Sequence, residues 1–300
     1  MTQPTTQPGT PRAEVTLDEA QVRALLNSQH PDLSGLALER VDAGWDNIMF
    51  RLGDELCLRF PRRRIATVLL NNEQRWLPQI AAELTIPIPV PLRIGQAGHG
   101  YPWNWSVIPW LPGRTADLDA PHSDEAVRFA TFLRALHRPA PPNAPENEFR
   151  GVPLRNRQSS IEERIPRVAA HVELIETRIR PIWESALAAP IDTDDRWLHG
   201  DLHPRNVLVA EGRVTGIIDW GDITSGDVAT DLASIWMLFA DHDAREKALQ
   251  TYGEVSDATL RRAHGWAVFF GIVLLDTGLV DNPRHAEIGR RTLQRVAEDR

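Results

Sequence analysis

The sequence of 300 residues predicts an α+β fold with two lobes, a small strand-rich N-terminal lobe and a larger, mostly helical C-terminal lobe. Short apolar runs bounded by turn residues dominate before residue 112, whereas long runs with helical periodicity dominate after it. Pro112-Gly113 breaks the last apolar run of the first part and marks the expected hinge. We therefore predict an N-terminal lobe over 13–112, a C-terminal lobe over 113–300 and a disordered tail over 1–12.

The bulk composition is that of a globular protein, with 42% apolar and 25% charged residues. The net charge of −8 argues against nucleic acid as a partner. No apolar run approaches the roughly 20 residues that cross a bilayer, and the first residues do not resemble a signal peptide. A single cysteine, Cys57, excludes an internal disulfide. We therefore expect a cytoplasmic protein that has no membrane partner and is a monomer.

The N-terminal lobe is expected to contain a helix, two strands, a second helix and a last strand: Leu17–Gln29, Asn47–Leu52, Glu55–Phe60, Ala66–Leu84 and Tyr101–Leu111. Thr16 and Glu19 have the spacing of a capping box at the start of the first helix. Gly53-Asp54 predicts a hairpin turn between the first two strands. Pro61 ends the second strand because proline cannot donate a hydrogen bond to the ladder.

The C-terminal lobe is expected to be a set of helices: Ser123–His137, Ile161–Leu187, Thr230–Ala240, Ala244–Tyr252, Asp257–Leu275 and Arg284–Glu298. Apolar residues recur in each at the spacing of one helix face. Pro166 and Pro181 should kink or divide the second of these helices. Residues 138–160 are rich in Pro, Asn and Arg and predict a loop.

The most informative motif is His199-Gly200-Asp201-Leu202-His203-Pro204-Arg205-Asn206. Two short apolar strands over 207–218 follow it, turned at Glu211-Gly212, and should fold Asp219 back beside Asn206. The pattern His-x-Asp-Leu-x-x-x-Asn is the catalytic-loop pattern of protein kinases. With the two lobes and the hinge, it predicts a bilobal protein-kinase-like fold and a phosphotransferase.

The spacing of these residues suggests their roles. Asp201 is the expected catalytic base, which accepts the proton of a substrate hydroxyl. Asn206 and Asp219 are expected to hold Mg²⁺, which prefers oxygen ligands and takes few carboxylates beside phosphate. His199 should brace the loop, and His203 is ambiguous. Structural roles are favoured for Asp227 and Asp231, as helix caps or braces of the loop.

The second group of candidates concerns the nucleotide. Lys247 is the sole lysine among 33 basic residues and lies in a polar helical stretch, which excludes a P-loop. The position of the kinase strand lysine is taken by Arg59, with Glu73 on the next helix as its partner. Arginine keeps the charge and can bind phosphate through two donors. The alternative is a surface pair on a strand edge. Cys57 shares a strand face with Arg59.

Two further segments are candidates for the nucleotide site. Gly44, in the segment over 42–47, lies where a nucleotide-covering loop would be expected, although an ordinary turn explains one glycine equally well. Residues two apart on an extended chain direct their backbone groups to the same edge. The C=O of Pro109 and the N–H of Leu111 could therefore face an adenine or guanine base.

The motif containing Asp201, the segment Gly216-Ile217-Ile218-Asp219-Trp220, and the residues Gly226-Asp227 and Asp231-Leu232-Ala233 together resemble the aminoglycoside phosphotransferase family. Gly200 before Asp201 is typical of these small-molecule kinases. Gly44-Trp45-Asp46-Asn47, Leu58-Arg59-Phe60-Pro61 and residues 105–113 resemble its macrolide 2′-phosphotransferase branch.

This resemblance implies that Asp201 is the base and that Asn206 and Asp219 hold Mg²⁺. It also implies that Arg59 and Glu73 order the triphosphate of ATP or GTP, and that Cys57 lines the base pocket. It leaves the choice between the two nucleotides open.

The acceptor is the least constrained part of the prediction. Residues 113–300 carry a net charge of −7, against −1 for 1–112, which favours a cationic acceptor or reflects ordinary solubility. Three hypotheses remain. The first is an antibiotic-type phosphotransferase for a macrolide or aminoglycoside. The second is a metabolic kinase for a sugar, choline or amino alcohol, and the third is a catalytically dead nucleotide-binding protein.

Overall fold

The computed structural model describes residues 12–41 and 46–299. Gly44 and nearly all of the predicted tail over 1–12 lie outside these residues. Within them, a five-stranded antiparallel sheet with two flanking helices forms the N-terminal lobe, and a helical body with two small sheets forms the C-terminal lobe. The predicted α+β bilobal architecture is therefore confirmed.

The N-terminal sheet has the order β1-β2-β3-β5-β4. Its strands and the two helices of this lobe are β1 (Leu38–Arg40), β2 (Asn47–Leu52), β3 (Leu56–Pro61), β4 (Arg93–Gly95), β5 (Trp105–Pro109), α1 (Glu19–Gln29) and α2 (Arg64–Ile80). Gly53 has φ of +60° in the turn between β2 and β3, as the hairpin prediction requires. Sequence reasoning missed β1 and β4 because three residues are too few to show an alternating pattern.

The two faces of β3 point into different surroundings. Leu58 and Phe60 are fully buried in the core of the N-terminal lobe, beside α1. Phe60 stacks on Trp105 of β5 with ring centroids 5.0 Å apart. Because side chains alternate along a strand, Cys57 and Arg59 lie on the opposite face, where Arg59 contacts α2. The predicted shared face of these two residues is therefore confirmed.

The start of α1 differs from the prediction. Its N-cap is Asp18, whose carboxylate accepts a hydrogen bond from the Gln21 backbone N–H at 2.8 Å. The Gln21 side chain accepts in return from the Asp18 N–H at 3.2 Å. The predicted capping box of Thr16 and Glu19 is wrong, because a competing pair with the same spacing lies two residues further along the chain.

The C-terminal lobe contains eight α-helices within the described residues: α3 (Glu125–Leu136), α4 (Gln158–Val168), α5 (Arg180–Ala188), α6 (Ala229–Leu232), α7 (Ser234–Leu238), α8 (His242–Tyr252), α9 (Asp257–Asp281) and α10 (Pro283–Glu298). Its strands are β6 (Arg114–Thr115), β7 (Arg196–Leu198), β8 (Val207–Ala210), β9 (Arg213–Ile217) and β10 (Thr224–Gly226). Strands β6, β8 and β9 form one sheet, and β7 pairs with β10.

The helix predicted over Ile161–Leu187 is interrupted. A short 3-10 turn and a π-helical turn separate α4 from α5. Pro166 is accommodated near the end of α4, and Pro181 lies in the first turn of α5. A proline there needs no N–H partner, so it starts the second helix and does not kink a continuous one.

Helix α9 is the central helix of this lobe and packs against α4, α5, α6 and α10. Within the described ranges, its length and composition alone would suffice to cross a membrane, so the expectation that no apolar stretch reaches this length is wrong. In the fold, 72% of its most apolar window is buried within the protein. Trp266 and Ile272, both fully buried, lie at the centre of this core.

Candidate active site

The hairpin of β8 and β9 brings the two expected magnesium ligands together. Val207, directly after Asn206, pairs with Ile217. The Ile218 N–H donates to the Asn206 carbonyl at 2.9 Å. Asp219 directly follows Ile218, so it lies next to Asn206. The prediction that the hairpin folds Asp219 back beside Asn206 is therefore confirmed.

The loop before the hairpin is held by one buried carboxylate. Asp231 is fully buried and accepts hydrogen bonds from the backbone N–H groups of His199 at 2.7 Å and Gly200 at 2.9 Å. Nε2 of His137 lies 3.4 Å from the same carboxylate. Asp227 forms an ion pair with Arg262 at 2.7 Å. Both aspartates therefore have structural contacts, as the sequence indicated.

His199 braces the same loop from within. Its Nε2 lies 3.0 Å from the carbonyl oxygen of Ile218, and its Nδ1 lies 3.2 Å from the backbone N–H of Asp201. A carbonyl oxygen only accepts and an N–H only donates, so Nε2 carries the proton and Nδ1 accepts. Gly200 has φ of +86°, and a Cβ there would lie 2.6 Å from the Asp222 carbonyl oxygen. This position therefore requires glycine.

Asp201 lies among cationic and imidazole groups. Nη2 of Arg150 donates to its Oδ1 at 2.9 Å, and Nε2 of His203 lies 3.5 Å from its Oδ2. Burial alone would raise the pKa of Asp201, but the charge of Arg150 and its hydrogen bond to the carboxylate outweigh it and hold this pKa below its ordinary value. The Asp201 side chain is therefore a carboxylate at neutral pH.

Asn206 is oriented by its own amide group. Its Nδ2 donates to the backbone carbonyl of Asp201 at 2.8 Å, which directs Oδ1 away from that carbonyl. Asp219 has φ of +61°, a left-handed conformation that is uncommon for a residue other than glycine. Its side chain is 56% exposed, so its carboxylate is accessible to a ligand beside its contact with Arg59.

Arg59 connects the two lobes. Its Nη1 lies 2.6 Å from both carboxylate oxygens of Glu73, and its Nη2 donates to Asp219 at 2.7 Å. With its oxygen turned toward Arg59, the Asn47 amide accepts at 2.9 Å from Nε and at 2.8 Å from Nη2. Burial raises the pKa of Glu73, and the charge of Arg59 opposes that rise. Arg59 and Glu73 are 6% and 2% exposed, so the alternative of a surface pair is wrong.

The remaining nucleotide candidates have different surroundings. Cys57 is 1% exposed, and burial raises the pKa of its thiol to about 12. The Trp110 N–H donates to Glu55 at 2.7 Å, so the backbone groups of Pro109 are directed away from β3. Leu111, two residues after Pro109, would direct its backbone groups to the same side if the chain stays extended. Their assignment to a nucleotide base stays a prediction, as does that of Cys57.

Three carboxylates on two helices of the C-terminal lobe form ion pairs with arginines. Asp276 forms ion pairs with Arg164 at 3.3 Å and with Arg167 at 2.6 Å. Glu162 pairs with Arg180 at 3.4 Å, and Glu163 with Arg167 at 3.6 Å. These contacts give all three carboxylates a structural role in the helical body.

Sequence reasoning missed Arg150 and Asn147, because both lie in the segment predicted only as a loop. Nδ2 of Asn147 donates to Asp222 at 2.6 Å. No spacing rule links residues separated by 51 and 75 positions in the chain. The cluster of Pro, Asn and Arg in 138–160 was the available signal.

The donor set suits Mg²⁺ better than a metal that needs a closed protein cage. The described ranges contain no group of three or more His, Cys, Asp or Glu residues arranged around a common metal position. Mg²⁺ is typically held by one or two carboxylates together with substrate phosphate. One exposed carboxylate, Asp219, and the adjacent amide oxygen of Asn206 fit that requirement.

Comparison with known proteins agrees with this geometry. An aminoglycoside 3′-phosphotransferase of Escherichia coli is 27% identical over 161 residues, which cover 50% of this chain and 58% of the relative. The alignment thus spans little more than half of that relative's length.

Two solved structures have the same fold. The GDP complex of aminoglycoside 2′-phosphotransferase-IIIa has a TM-score of 0.70 at 21% identity and covers 94% of this chain and 99% of its own. The apoenzyme of a macrolide 2′-phosphotransferase from Brachybacterium faecium has a TM-score of 0.60 at 21% identity and covers 92% and 98%. The model of the phosphotransferase enzyme family matches residues 37–266. The chain therefore belongs to the phosphotransferase enzyme family.

Proposed function

We propose that this protein transfers the γ-phosphoryl group of ATP or GTP to a hydroxyl group of a small molecule, with Mg²⁺ as cofactor. The observation that carries the proposal is the convergence of Asp201, Asn206 and Asp219 at one end of the β8–β9 hairpin. The Arg59–Glu73 pair reaches the same place from the other lobe. Phosphoryl transfer requires alignment, charge neutralisation and a proton acceptor, and these residues supply each.

Each of these residues would have a separate role in the reaction. Asn206 and Asp219 would hold Mg²⁺, which when bound neutralises charge on the nucleotide phosphates. Arg59 would contact the triphosphate through its planar guanidinium, held in orientation by the buried carboxylate of Glu73. Its existing contact with Asp219 places that guanidinium beside the metal ligand.

Asp201 would align the acceptor hydroxyl and take its proton late in transfer. A carboxylate of lowered pKa is a weak base, which suits a loose transition state in which the attacking oxygen needs orientation more than early deprotonation. His199 and Asp231 keep the loop in place through backbone contacts and touch no reacting group in this role.

The names of the relatives support an antibiotic-type acceptor, a macrolide or an aminoglycoside. A metabolic kinase for another small hydroxyl compound is the second candidate. The unbroken set of Asp201, Asn206 and Asp219 disfavours a dead nucleotide-binding protein. Nucleotide as the donor also supports a cytoplasmic location, which we include in the proposal.

A coupled assay of nucleotide consumption tests this function. Macrolides, aminoglycosides and small alcohols would each be supplied with Mg²⁺ and either ATP or GTP. We expect acceptor-dependent release of the nucleoside diphosphate with at least one class, and loss of that release when Mg²⁺ is chelated. Tight Mg-nucleotide binding without transfer to any acceptor would contradict the proposal and favour the dead protein.

A further inference from the structure

A short segment, residues 147–157, lies directly against the candidate catalytic base. The side chain of Asn147 fixes its start, because Oδ1 accepts from the backbone N–H groups of Phe149 at 2.8 Å and Arg150 at 3.2 Å. Arg150 extends from this turn to Asp201 and lies over the ring of Phe270 at 5.1 Å. The segment therefore borders the space in which an acceptor hydroxyl would meet Asp201.

Arg157, at the far end of the segment, has unusual surroundings. Its guanidinium lies over the ring of Phe149 at 5.1 Å, and Phe149 itself is 52% exposed. Its Nε is buried without a hydrogen-bond partner in the part of the chain that the structure describes. Over the same residues, its charged neighbours are Arg150 and Arg164, and burial together with their like charges lowers the pKa of Arg157.

The carboxylates beside the arginines near Arg157 are already paired with those arginines. Arg157 is the N-cap residue of α4, and Arg164 follows seven residues later, about two helical turns, so the two lie on the same side of the helix. Arg164 shares the carboxylate of Asp276 with Arg167. Arg150 is paired with Asp201, which the reaction itself would require. Arg150 also lies near the carboxylates of Asp222 and Asp231. Among the described residues, Arg157 is therefore the arginine of this cluster that has no carboxylate neighbour.

Partly burying a guanidinium among other guanidiniums costs free energy unless an anion compensates it. An arginine next to an exposed aromatic ring also offers two kinds of contact, charge-assisted hydrogen bonds and ring stacking. We infer that Arg157, with Arg150 and Phe149, forms a subsite for a carboxylate or phosphate group of the acceptor. The inference rests on the proposed function and favours its second candidate, a small hydroxyl compound that carries an anionic group, over the cationic macrolide or aminoglycoside.

Sulfate is a suitable probe, because it presents the tetrahedral oxygens of a phosphate group and the negative charge of either anion without reacting. Thermal unfolding would be followed against sulfate concentration at constant ionic strength, with Mg²⁺ and saturating AMP-PNP or GMP-PNP present to occupy the nucleotide phosphate positions. We expect saturable stabilisation of the wild type, and sulfate binding at least about tenfold weaker in Arg157→Gln, the loss typical of one hydrogen bond to a charged group. Arg178→Gln, which removes an exposed arginine of the same lobe, is the matched control.

The baseline melting temperature separates binding from a structural role. Arg157→Gln relieves like-charge repulsion, so its melting temperature without sulfate should equal or exceed that of the wild type. A lower melting temperature with unchanged sulfate dependence would overturn the inference. Sulfate stabilisation that disappears once the nucleotide analogue is bound would also overturn it, because the anion would then occupy the nucleotide site.

With an acceptor from the coupled assay, sulfate should compete with the acceptor and not with nucleotide, and Arg157→Gln should raise the KM of the acceptor alone. Competition with nucleotide alone would refute the subsite. Failure of the proposed function would be distinguishable, because no phosphoryl transfer to any acceptor would then be detected, independently of how sulfate binds. If the best acceptor is a polycation whose KM does not change in Arg157→Gln, the subsite is refuted and the phosphotransferase assignment stays intact.

Discussion

Replacing Asp231 with Asn tests how the candidate catalytic loop is held. The carboxylate accepts two backbone hydrogen bonds, from His199 at 2.7 Å and Gly200 at 2.9 Å, in a fully buried position. An asparagine keeps one acceptor oxygen and turns an NH₂ group toward the other N–H. A hydrogen bond to a charged group contributes about 1.5–3 kcal/mol, and an unsatisfied buried donor costs about 1–3 kcal/mol. We expect Asp231→Asn to lose about 3–5 kcal/mol of the free energy of unfolding.

Urea denaturation measures this loss, and hydrogen exchange of the His199 and Gly200 amides shows where it arises. Those two amides should exchange faster in the variant. Asp257→Asn is the control, because Asp257 forms an ion pair with Arg261 at 3.0 Å with its side chain 82% exposed. Such a surface pair contributes at most about 1 kcal/mol. A loss no larger for Asp231→Asn than for Asp257→Asn, with unchanged exchange, would refute the bracing role.

Three further predictions follow from the same contacts. Glu73→Gln leaves Arg59 buried with Asp219 as its remaining carboxylate, so urea denaturation should show a loss of about 3 kcal/mol and nucleotide KM should rise; an unchanged KM would contradict the triphosphate role. Gly200→Ala forces a side chain into a left-handed backbone against the Asp222 carbonyl and should destabilise by at least about 1–3 kcal/mol, whereas Gly35→Ala, with open space around it, should not. Burial lowers the pKa of His264 to about 4, so the unfolded state takes up a proton on this imidazole before the folded state does as pH falls. The free energy of unfolding should therefore decline by up to about 3 kcal/mol from pH 6.5 to 4. Denaturation at pH 7 and pH 5 should show a smaller decline in His264→Leu than in the wild type.

The catalytic hairpin could be predicted because its information is local. Two apolar runs with a Glu-Gly turn between them define the hairpin, and the strand alternation then fixes the position of Asp219. The pairing of Arg59 with Glu73 could also be predicted, because only a short turn connects β3, which carries Arg59, to α2, which carries Glu73. These features depend on neighbours within about twenty residues.

The contacts that depend on distant parts of the chain could not be predicted. Arg150 reaches Asp201 from a segment without regular periodicity, and its partner is determined by how that segment packs against α9. The unusual surroundings of Arg157 arise in the same way. Burial of Cys57 follows from the close packing of β3 between its neighbours, which the strand pattern alone does not reveal. A thiol reagent should therefore modify Cys57 slowly even without nucleotide, and any further slowing by bound Mg-nucleotide would be measured against that low rate.

The most direct test of the phosphotransferase account is transfer from γ-labelled nucleotide by Asp201→Asn. This change preserves the size of the side chain and removes the carboxylate that would take the acceptor proton. We expect Mg-nucleotide binding, measured by calorimetry, to match that of the wild type, while transfer to the acceptor found in the coupled assay falls at least about a hundredfold. Wild-type transfer by Asp201→Asn would contradict the account.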